Sequence, residues 1–243
     1  NFWNKGILNK NSNVQFGEGG AGTFSDGKLN TGVNDKAGRK KFILETFAKS
    51  GGDKSITYDA KPHIGTDALK ECVKNIRNEI ISLGGEFYFE STLTDIIINN
   101  NIIKGIVINR ERILDTSILI LAIGHSARDT FKMLNDKGFS MERKTFAVGL
   151  RIIHPQSLIN KGQFGIDDKA LPAADYKLTY NEEEKIYSFC MCPGGVVVNA
   201  SSEDKRLAIN GMSYKSRDGK YANSALISPV RPEDLPEDDL FSG

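Results

Sequence analysis

The first half of the chain carries apolar residues at spacings that predict alternating helices and strands. Residues 40–49 place apolar side chains at helical intervals before a glycine pair, which predicts a short helix. A longer helix is predicted from Thr66 to Leu83, because Thr66 can cap its first turn, apolar residues recur every three or four positions, and Gly84 follows. Short runs rich in isoleucine over about 92–116 are separated by turn-forming asparagines and predict an antiparallel meander.

The longest uninterrupted apolar run spans Ile118–Ile123 and leads into Gly124. Such a run is typical of a strand buried on both faces of a parallel sheet. The residues after it repeat at helical spacing and end at Gly138, so the pattern predicts a strand, a turn and a helix in that order. The run is far too short to span a bilayer.

From Thr145 onward the pattern changes to short strands with no helices between them, which predicts an antiparallel sheet. Within it, the segment Cys192–Gly195 has proline and glycine at its second and third positions, as a type II turn requires. We therefore place a domain boundary near Ser140. The predicted fold class is α/β, in part α+β.

The composition narrows the choice of partners. The 243 residues include 39% hydrophobic and 26% charged residues with a formal net charge of +1, so charge gives no reason to expect nucleic acid or an anionic membrane. The three cysteines form no disulfide framework and suit a reducing cytoplasm, which is the location we expect. The chain starts without a signal peptide and ends in a segment rich in proline and acidic residues, so we expect it to be a fragment of a longer protein.

The segment NVQFGEGGAGTFSDGKLN, residues 13–30, contains the G-x-G-x-x-G spacing of a dinucleotide-binding fingerprint. That fingerprint requires a strand before its first glycine and a helix that begins at its last one. Here polar, turn-forming residues precede Gly17 and helix-breaking residues follow Gly22. The segment is therefore not predicted to be the pyrophosphate-binding fingerprint.

The same glycine-rich loop remains a candidate binding site, with a flexible surface turn as the alternative. Gly19, Gly20 and Gly22 carry no side chain, so their backbone N–H groups can approach a flat or anionic ligand closely. Ser25 and Asp26 can add hydrogen bonds. A phenylalanine on each side of the glycines favours the binding interpretation, because a flexible turn needs no such anchors.

The segment Gly124–Arg128 has three interpretations. It resembles the nucleophile elbow of α/β-hydrolases, with Ser126 as the attacking hydroxyl, although Arg128 stands where that turn needs glycine. In the second interpretation its backbone packs against a cofactor at the edge of a sheet. In the third it only connects a strand to a helix.

Histidines and cysteines supply the other reactive side chains. His63, His125 and His154 lie in predicted loops, and each can act as a general acid or base. Their spacing matches no metal site, and no metal is expected. Cys190 and Cys192 share one face of a predicted strand, either as a redox pair or as small buried apolar residues. A bridge between residues two positions apart is geometrically difficult, which favours the second interpretation.

Five segments, in the same order and over nearly the whole chain, resemble a bacterial family of uncharacterised FAD-dependent dehydrogenases with a glutathione-reductase-like FAD fold. The segments are NVQFGEGGAGTFSDGKL, KPHIGTDAL, LAIGHSARDTF, FAVGLRIIHPQSLI and YSFCMCPGGVVVNASSE. The resemblance implies an incomplete FAD/NAD(P)-binding three-layer domain at 1–139, a substrate or cap domain with an antiparallel sheet at 140–235, and a tail at 236–243. It also implies that the N-terminal dinucleotide-binding strand and the C-terminal end of the FAD domain are missing from this sequence.

By this resemblance the glycine-rich loop runs past the flavin end of FAD, and the segment near Gly124 meets the other edge of the FAD domain. The residues implied to contact the cofactor are Gly19, Gly20, Ala21, Gly22, Thr23, Phe24, Ser25, Asp26, Leu93, Ala122, Gly124 and His125. The candidates for substrate-side chemistry are His154, Arg151, Cys190 and Cys192.

The function implied by the resemblance is that of an FAD-dependent oxidoreductase. It would transfer hydride or electrons from a donor, with NADH or NADPH as the candidate, to a small-molecule substrate that the sequence does not identify. Because the pyrophosphate-binding strand is missing, we expect this chain alone to bind FAD weakly or not at all. Two alternatives stay open: a non-catalytic module that binds or senses through an FAD scaffold, and a serine hydrolase that uses Ser126.

Overall fold

A computed structural model of the chain describes residues 2–31, 34–236 and 240–241, without the side chains of Trp3 and Ala21. The α-helices in this part of the chain are α1 (Phe2–Lys5), α2 (Arg39–Lys49), α3 (Thr66–Ser82), α4 (Arg128–Asp136) and α5 (Gln156–Phe164). The strands are β1 (Leu93–Asn99), β2 (Ile102–Ile108), β3 (Arg112–Asp115), β4 (Phe146–Pro155), β5 (Thr179–Asn181), β6 (Lys185–Cys192), β7 (Val196–Asn199), β8 (Ile209–Met212) and β9 (Tyr221–Val230). Short 3-10 helices cover Gly20–Phe24, Lys54–Thr57 and Pro232–Asp234.

Helices and antiparallel sheets are both present, which confirms the predicted fold class. β1, β2 and β3 form an antiparallel sheet in that order, as predicted for the meander. A four-stranded sheet has the order β4-β9-β6-β5, and β7 pairs with β8. β4 and β9 pair continuously from Phe146 opposite Val230 to Pro155 opposite Tyr221, so theirs is the longest strand pairing in the larger sheet.

The helices predicted in the first half of the chain are confirmed as α2, α3 and α4. Gly84 and Gly138 follow α3 and α4 with φ values of 89° and 80°, the left-handed conformation that commonly ends a helix. Among the described helices, none combines the length and apolar character that a membrane-spanning segment requires.

The strand predicted for the apolar run Ile118–Ile123 is wrong. No strand forms there, and Ile118 and Ile120 are 78% and 84% exposed. A buried parallel strand depends on hydrogen-bonded neighbours on both sides. Every pair of strands in the described residues is antiparallel, so the run has no such neighbours here.

The expectation of a second half without helices is also wrong, because α5 lies between β4 and β5. Pro155 immediately precedes α5, and Gly165 ends it with a φ of 78°. Proline before a helix and glycine after it are both sequence signals for a helix, but the strand-like pattern of the neighbouring residues favoured a strand instead.

The type II turn predicted at Cys192–Gly195 requires a positive φ at its third residue. Gly194 occupies that position and has a φ of 52°, in agreement with the prediction.

The contacts divide the chain into two compact units. One contains residues 1–79 and 144–243, and the other contains residues 80–143. The first unit has a core cluster of four buried residues, Ile56, Ile64, Leu69 and Cys72. The glycine-rich loop and the four-stranded sheet both belong to this unit. The functional division near Ser140 stays a prediction.

Candidate functional site

The glycine-rich loop contains the 3-10 helix Gly20–Phe24, and no strand leads into it among the described residues, as predicted. Its hydroxyl groups bind the loop's own backbone. Thr23 Oγ1 donates to the Gly20 carbonyl over 2.8 Å, and Ser25 Oγ donates to the Gly22 carbonyl over 2.8 Å. These two bonds hold the loop in one shape, so both side chains act on the loop itself.

The middle of the loop presents bare backbone at the surface. Gly20 has a φ of 53°, which favours glycine. Gly22 is exposed, and a Cβ built on it would have no neighbouring atom within 4 Å. A Cβ on Gly19, in contrast, would collide with the Thr23 side chain. The geometry of the loop therefore fits a flat ligand lying against the main chain. The side chain of Ala21 lies outside the described part of the chain.

Asp26 anchors the loop to the carboxyl-terminal part of the chain. Asp26 is only 3% exposed. Its carboxylate accepts one hydrogen bond from Arg217 Nε over 2.9 Å and another from Nη2 of the same guanidinium. Lys28 Nζ lies 3.6 Å from the same carboxylate. The buried charge of Asp26 is thus compensated by two cations, one of them bound in bidentate geometry.

Two backbone carbonyls of the loop are also held from outside it. Asn210 of β8 donates from Nδ2 to the Phe24 carbonyl over 3.1 Å. The Thr66 hydroxyl, at the start of α3, donates to the Thr23 carbonyl. A loop fixed in this way offers a ligand a preformed surface, which lowers the entropy lost on binding.

A second polar cluster lies on the four-stranded sheet. Arg151 of β4 donates through Nη1 to the Asn223 side-chain oxygen over 2.6 Å and to the Cys190 carbonyl over 3.2 Å. Asn223 of β9 is completely buried. Arg151 Nε and Asn223 Nδ2 are buried without a hydrogen-bond partner among the described residues. Buried unsatisfied donors are costly and uncommon, so they mark this cluster as a candidate site.

Gly211 of β8 makes the cluster possible. A Cβ at this position would lie 2.8 Å from Cys192 Sγ and still closer to the side chains of Arg151 and Asn223. Only a glycine lets β8 approach the sheet so closely. The neighbouring Asn210 holds the glycine-rich loop, so β8 joins the loop to the Arg151 cluster.

The two cysteines of the cluster are free thiols. Burial raises the pKa of Cys192 to about 11, against an opposing effect of Lys28. Cys190 is exposed and has an unusual φ of 45°; desolvation around its sulfur raises its pKa, while Lys28 and Arg151 act in the opposite direction. Both pKa values lie above the ordinary thiol value, which disfavours an activated thiolate. The interpretation as small buried residues fits Cys192 only. Cys190 is exposed, and the irregular register between Phe189 and Cys192 interrupts the alternation that was predicted to place both thiols on one face.

The histidines lie in different elements, and the prediction of a loop is wrong for His154, which belongs to β4. His154 Nε2 lies 2.9 Å from the Tyr176 hydroxyl, and its Nδ1 is buried without a partner among the described residues. His63 Nε2 lies 3.3 Å from the Lys215 carbonyl. His125 is exposed in the unit of residues 80–143.

Leu93, Ala122, Gly124 and His125 all belong to the unit of residues 80–143. Leu93 begins β1, and Gly124 has a φ of 71° just before α4. Ser126 makes no side-chain hydrogen bond to a histidine among the described residues, and the strand of the predicted elbow is missing. Nothing in this part of the chain activates Ser126 as a nucleophile.

Sequence reasoning missed the residues that assemble these clusters. Arg217, Asn223 and Lys28 carry no motif, because each finds its partner only after distant segments pack together. Asn223 did leave a signal, since it is an amide side chain near the start of a strand whose other residues are apolar or small. Gly211 left none.

Comparison with known proteins adds two findings. Residues 145–243 match the model of a family described as FAD-dependent protein, C-terminal domain-like. The chain is also similar to an uncharacterised protein of Clostridium beijerinckii, with 53% identity over 239 residues. That alignment covers 96% of this chain and 44% of the relative, so the chain spans less than half of the relative's length. The family match includes the whole Arg151 cluster and Arg217, but not the glycine-rich loop.

Proposed function

We propose that the chain is part of an FAD-dependent oxidoreductase, which transfers hydride or electrons between a reduced donor and a small-molecule substrate. The observation that carries the proposal is the match of residues 145–243 to the FAD-dependent family. The glycine-rich loop lies outside that match but is anchored to the matched region by the Asp26–Arg217 ion pair and by Asn210. The proposal assigns the loop and the matched region to one cofactor site.

The loop offers FAD an exposed stretch of main chain. Gly20 and Gly22 place no side chain between the backbone and an aromatic ring system, so the two can come into van der Waals contact. The residues that shape this contact in the proposal are Gly19, Ala21, Thr23, Phe24, Ser25 and Asp26. When bound, FAD supplies the redox chemistry, and the protein supplies orientation and exclusion of water.

Further cofactor contacts are proposed in the unit of residues 80–143. Gly124 and His125 are exposed at a turn where φ is positive, so main chain is accessible there. We assign Leu93 and Ala122 to the same group. A cytoplasmic location, and NADH or NADPH as the electron donor, complete the proposal.

The affinity for FAD is proposed to depend on residues beyond this chain. Backbone N–H groups at the start of a helix that follows a strand supply much of the affinity for a pyrophosphate. The described residues contain no strand before the glycine-rich loop. The chain alone should therefore bind FAD weakly or not at all, and the intact protein should bind it.

An anaerobic absorption spectrum of the intact protein, recorded before and after NADH or NADPH is added, tests the proposal. We expect the bands of oxidised flavin in the first spectrum and their loss in the second. A protein that is purified without flavin, and that binds none when FAD is added, would contradict the cofactor assignment. A bound flavin that no donor reduces would support the non-catalytic binding or sensing module instead.

A further inference from the structure

Arg151, Ala225 and Phe189 lie in one row across the four-stranded sheet. Arg151 of β4 pairs with Ala225 of β9, and Ala225 pairs on its other side with Phe189 of β6. Directly paired residues of an antiparallel sheet project from the same face. The three side chains therefore share one face, with the smallest of them in the middle.

This face is open and apolar only in part, because Asn223 and Cys192 on the same face are buried where β8 packs against the sheet. Phe189 is 54% exposed. Ile153 lies two residues after Arg151, hence on the same face, and is 60% exposed. The short side chain of Ala225 leaves space between the longer side chains on either side. A cation thus stands beside two exposed apolar side chains, with a shallow floor between them.

The charge of Arg151 has no carboxylate partner among the described residues. Its hydrogen bonds go to two neutral acceptors, and none of the ion pairs in that part of the chain includes it. The nearby carboxylate of Asp26 is already bound by Arg217 and approached by Lys28. A half-buried charge without a counter-ion is costly, and an anionic ligand would remove that cost.

Asn223 provides a second, independent observation. Its side chain is completely buried, accepts the 2.6 Å hydrogen bond from Arg151 Nη1, and keeps an unpartnered Nδ2. Together with the close approach of Gly211, this bond fixes the direction of the guanidinium. A cation held in one direction by a buried partner is the arrangement expected of a binding site that is formed before its ligand arrives.

We propose that this face binds the carboxylate of an apolar organic acid, and that such acids are the substrate class of the redox site. Arg151 pairs with the carboxylate, while the apolar body lies over Ala225 against Phe189 and Ile153. A phosphate would require a denser set of basic or backbone N–H groups, and it would gain nothing from the apolar flanks. The assignment as a substrate rests on the proposed function, but binding of the acid requires no flavin.

Calorimetric titration of the full chain with 3-phenylpropanoate and with 3-phenyl-1-propanol tests the site. The alcohol keeps the ring and the linker but has no charge. One charge-assisted contact should make the acid bind at least about tenfold more tightly than the alcohol. Arg151→Gln should abolish this difference, and Phe189→Ala should weaken binding of the acid about tenfold.

Arg206→Gln is the matched control, because Arg206 is exposed and outside the site, and it should leave binding of the acid unchanged. Equal affinities for acid and alcohol, no binding of the acid, or acid binding that survives Arg151→Gln would each overturn the proposal. If Arg151→Gln does not fold, the acid–alcohol comparison and Phe189→Ala, which alters an exposed side chain, still decide. If the acid does not bind, the FAD assignment is unaffected. If the intact protein contains no flavin, the proposed binding of the acid is unaffected.

Discussion

The carboxylate of Asp26 and the guanidinium of Arg217 form a buried, bidentate ion pair between residues 191 positions apart. The pair connects the proposed cofactor loop to the region that matches the FAD-dependent family. Any change in the pair should therefore affect both the stability of the fold and the position of the loop.

Asp26→Ala should lower the free energy of unfolding by up to about 3–5 kcal/mol, because it leaves the partly buried Arg217 guanidinium without its counter-ion. Urea denaturation measures this change. The exposed pair of Lys10 and Asp204 supplies the control, since a surface ion pair contributes little and Asp204→Ala should change the stability only slightly. Equal stability of the two variants would show that the buried pair does not hold the loop.

Gly211→Ala should destabilise the protein by about 1–3 kcal/mol, because the added methyl group overlaps the packed side chains of Arg151 and Asn223. Gly22→Ala should change the stability by no more than about 0.5 kcal/mol, since its methyl group meets no neighbouring atom. Thermal and urea unfolding of both variants measure the difference. A Gly211→Ala variant as stable as the parent would contradict the close packing of β8 on the sheet.

Gly22→Leu should weaken FAD binding by the intact protein at least about tenfold, because the side chain occupies the surface proposed for the ring system. Gly162→Leu is the matched control: Gly162 is also exposed with no atom within 4 Å of a built Cβ, but it lies in α5 away from the loop. Quenching of flavin fluorescence measures both affinities. Equal affinities would place the flavin elsewhere.

The buried thiol of Cys192 should make stability fall at alkaline pH. Its pKa is raised to about 11 in the folded protein, so the unfolded chain loses the proton first as the pH rises above about 9. The associated stability is complete below that pH and is lost as the pH rises towards 11, by up to about 3 kcal/mol. Cys192→Ala should lack this part of the dependence. Parallel curves for the two proteins, measured by urea unfolding at each pH, would rule it out.

Local patterns predicted the elements whose causes are local. Gly84 follows α3 in the left-handed conformation, and alternating isoleucines with asparagine turns produce the first meander. The cap predicted at Thr66 is wrong, because Thr66 is the first helical residue and its hydroxyl donates to the Thr23 carbonyl. The run Ile118–Ile123 misled the prediction because a parallel strand is defined by its neighbours, which apolar character alone does not reveal.

The candidate site was predictable only in part. The glycine loop is visible in the sequence because it depends on missing side chains at consecutive positions. The Asp26–Arg217 pair and the row of Arg151, Ala225 and Phe189 depend on strand register and on packing between distant segments. Residue spacing and composition do not predict which distant residues come into contact in this way.

The proposal that matters most is that Gly20 and Gly22 place backbone without side chains against the isoalloxazine ring of FAD. A crystal structure of the intact protein with its flavin bound tests this most directly. We expect van der Waals contact between the backbone of these two residues and the ring system. A flavin whose ring lies away from the loop, with Gly22 still open to solvent, would contradict it.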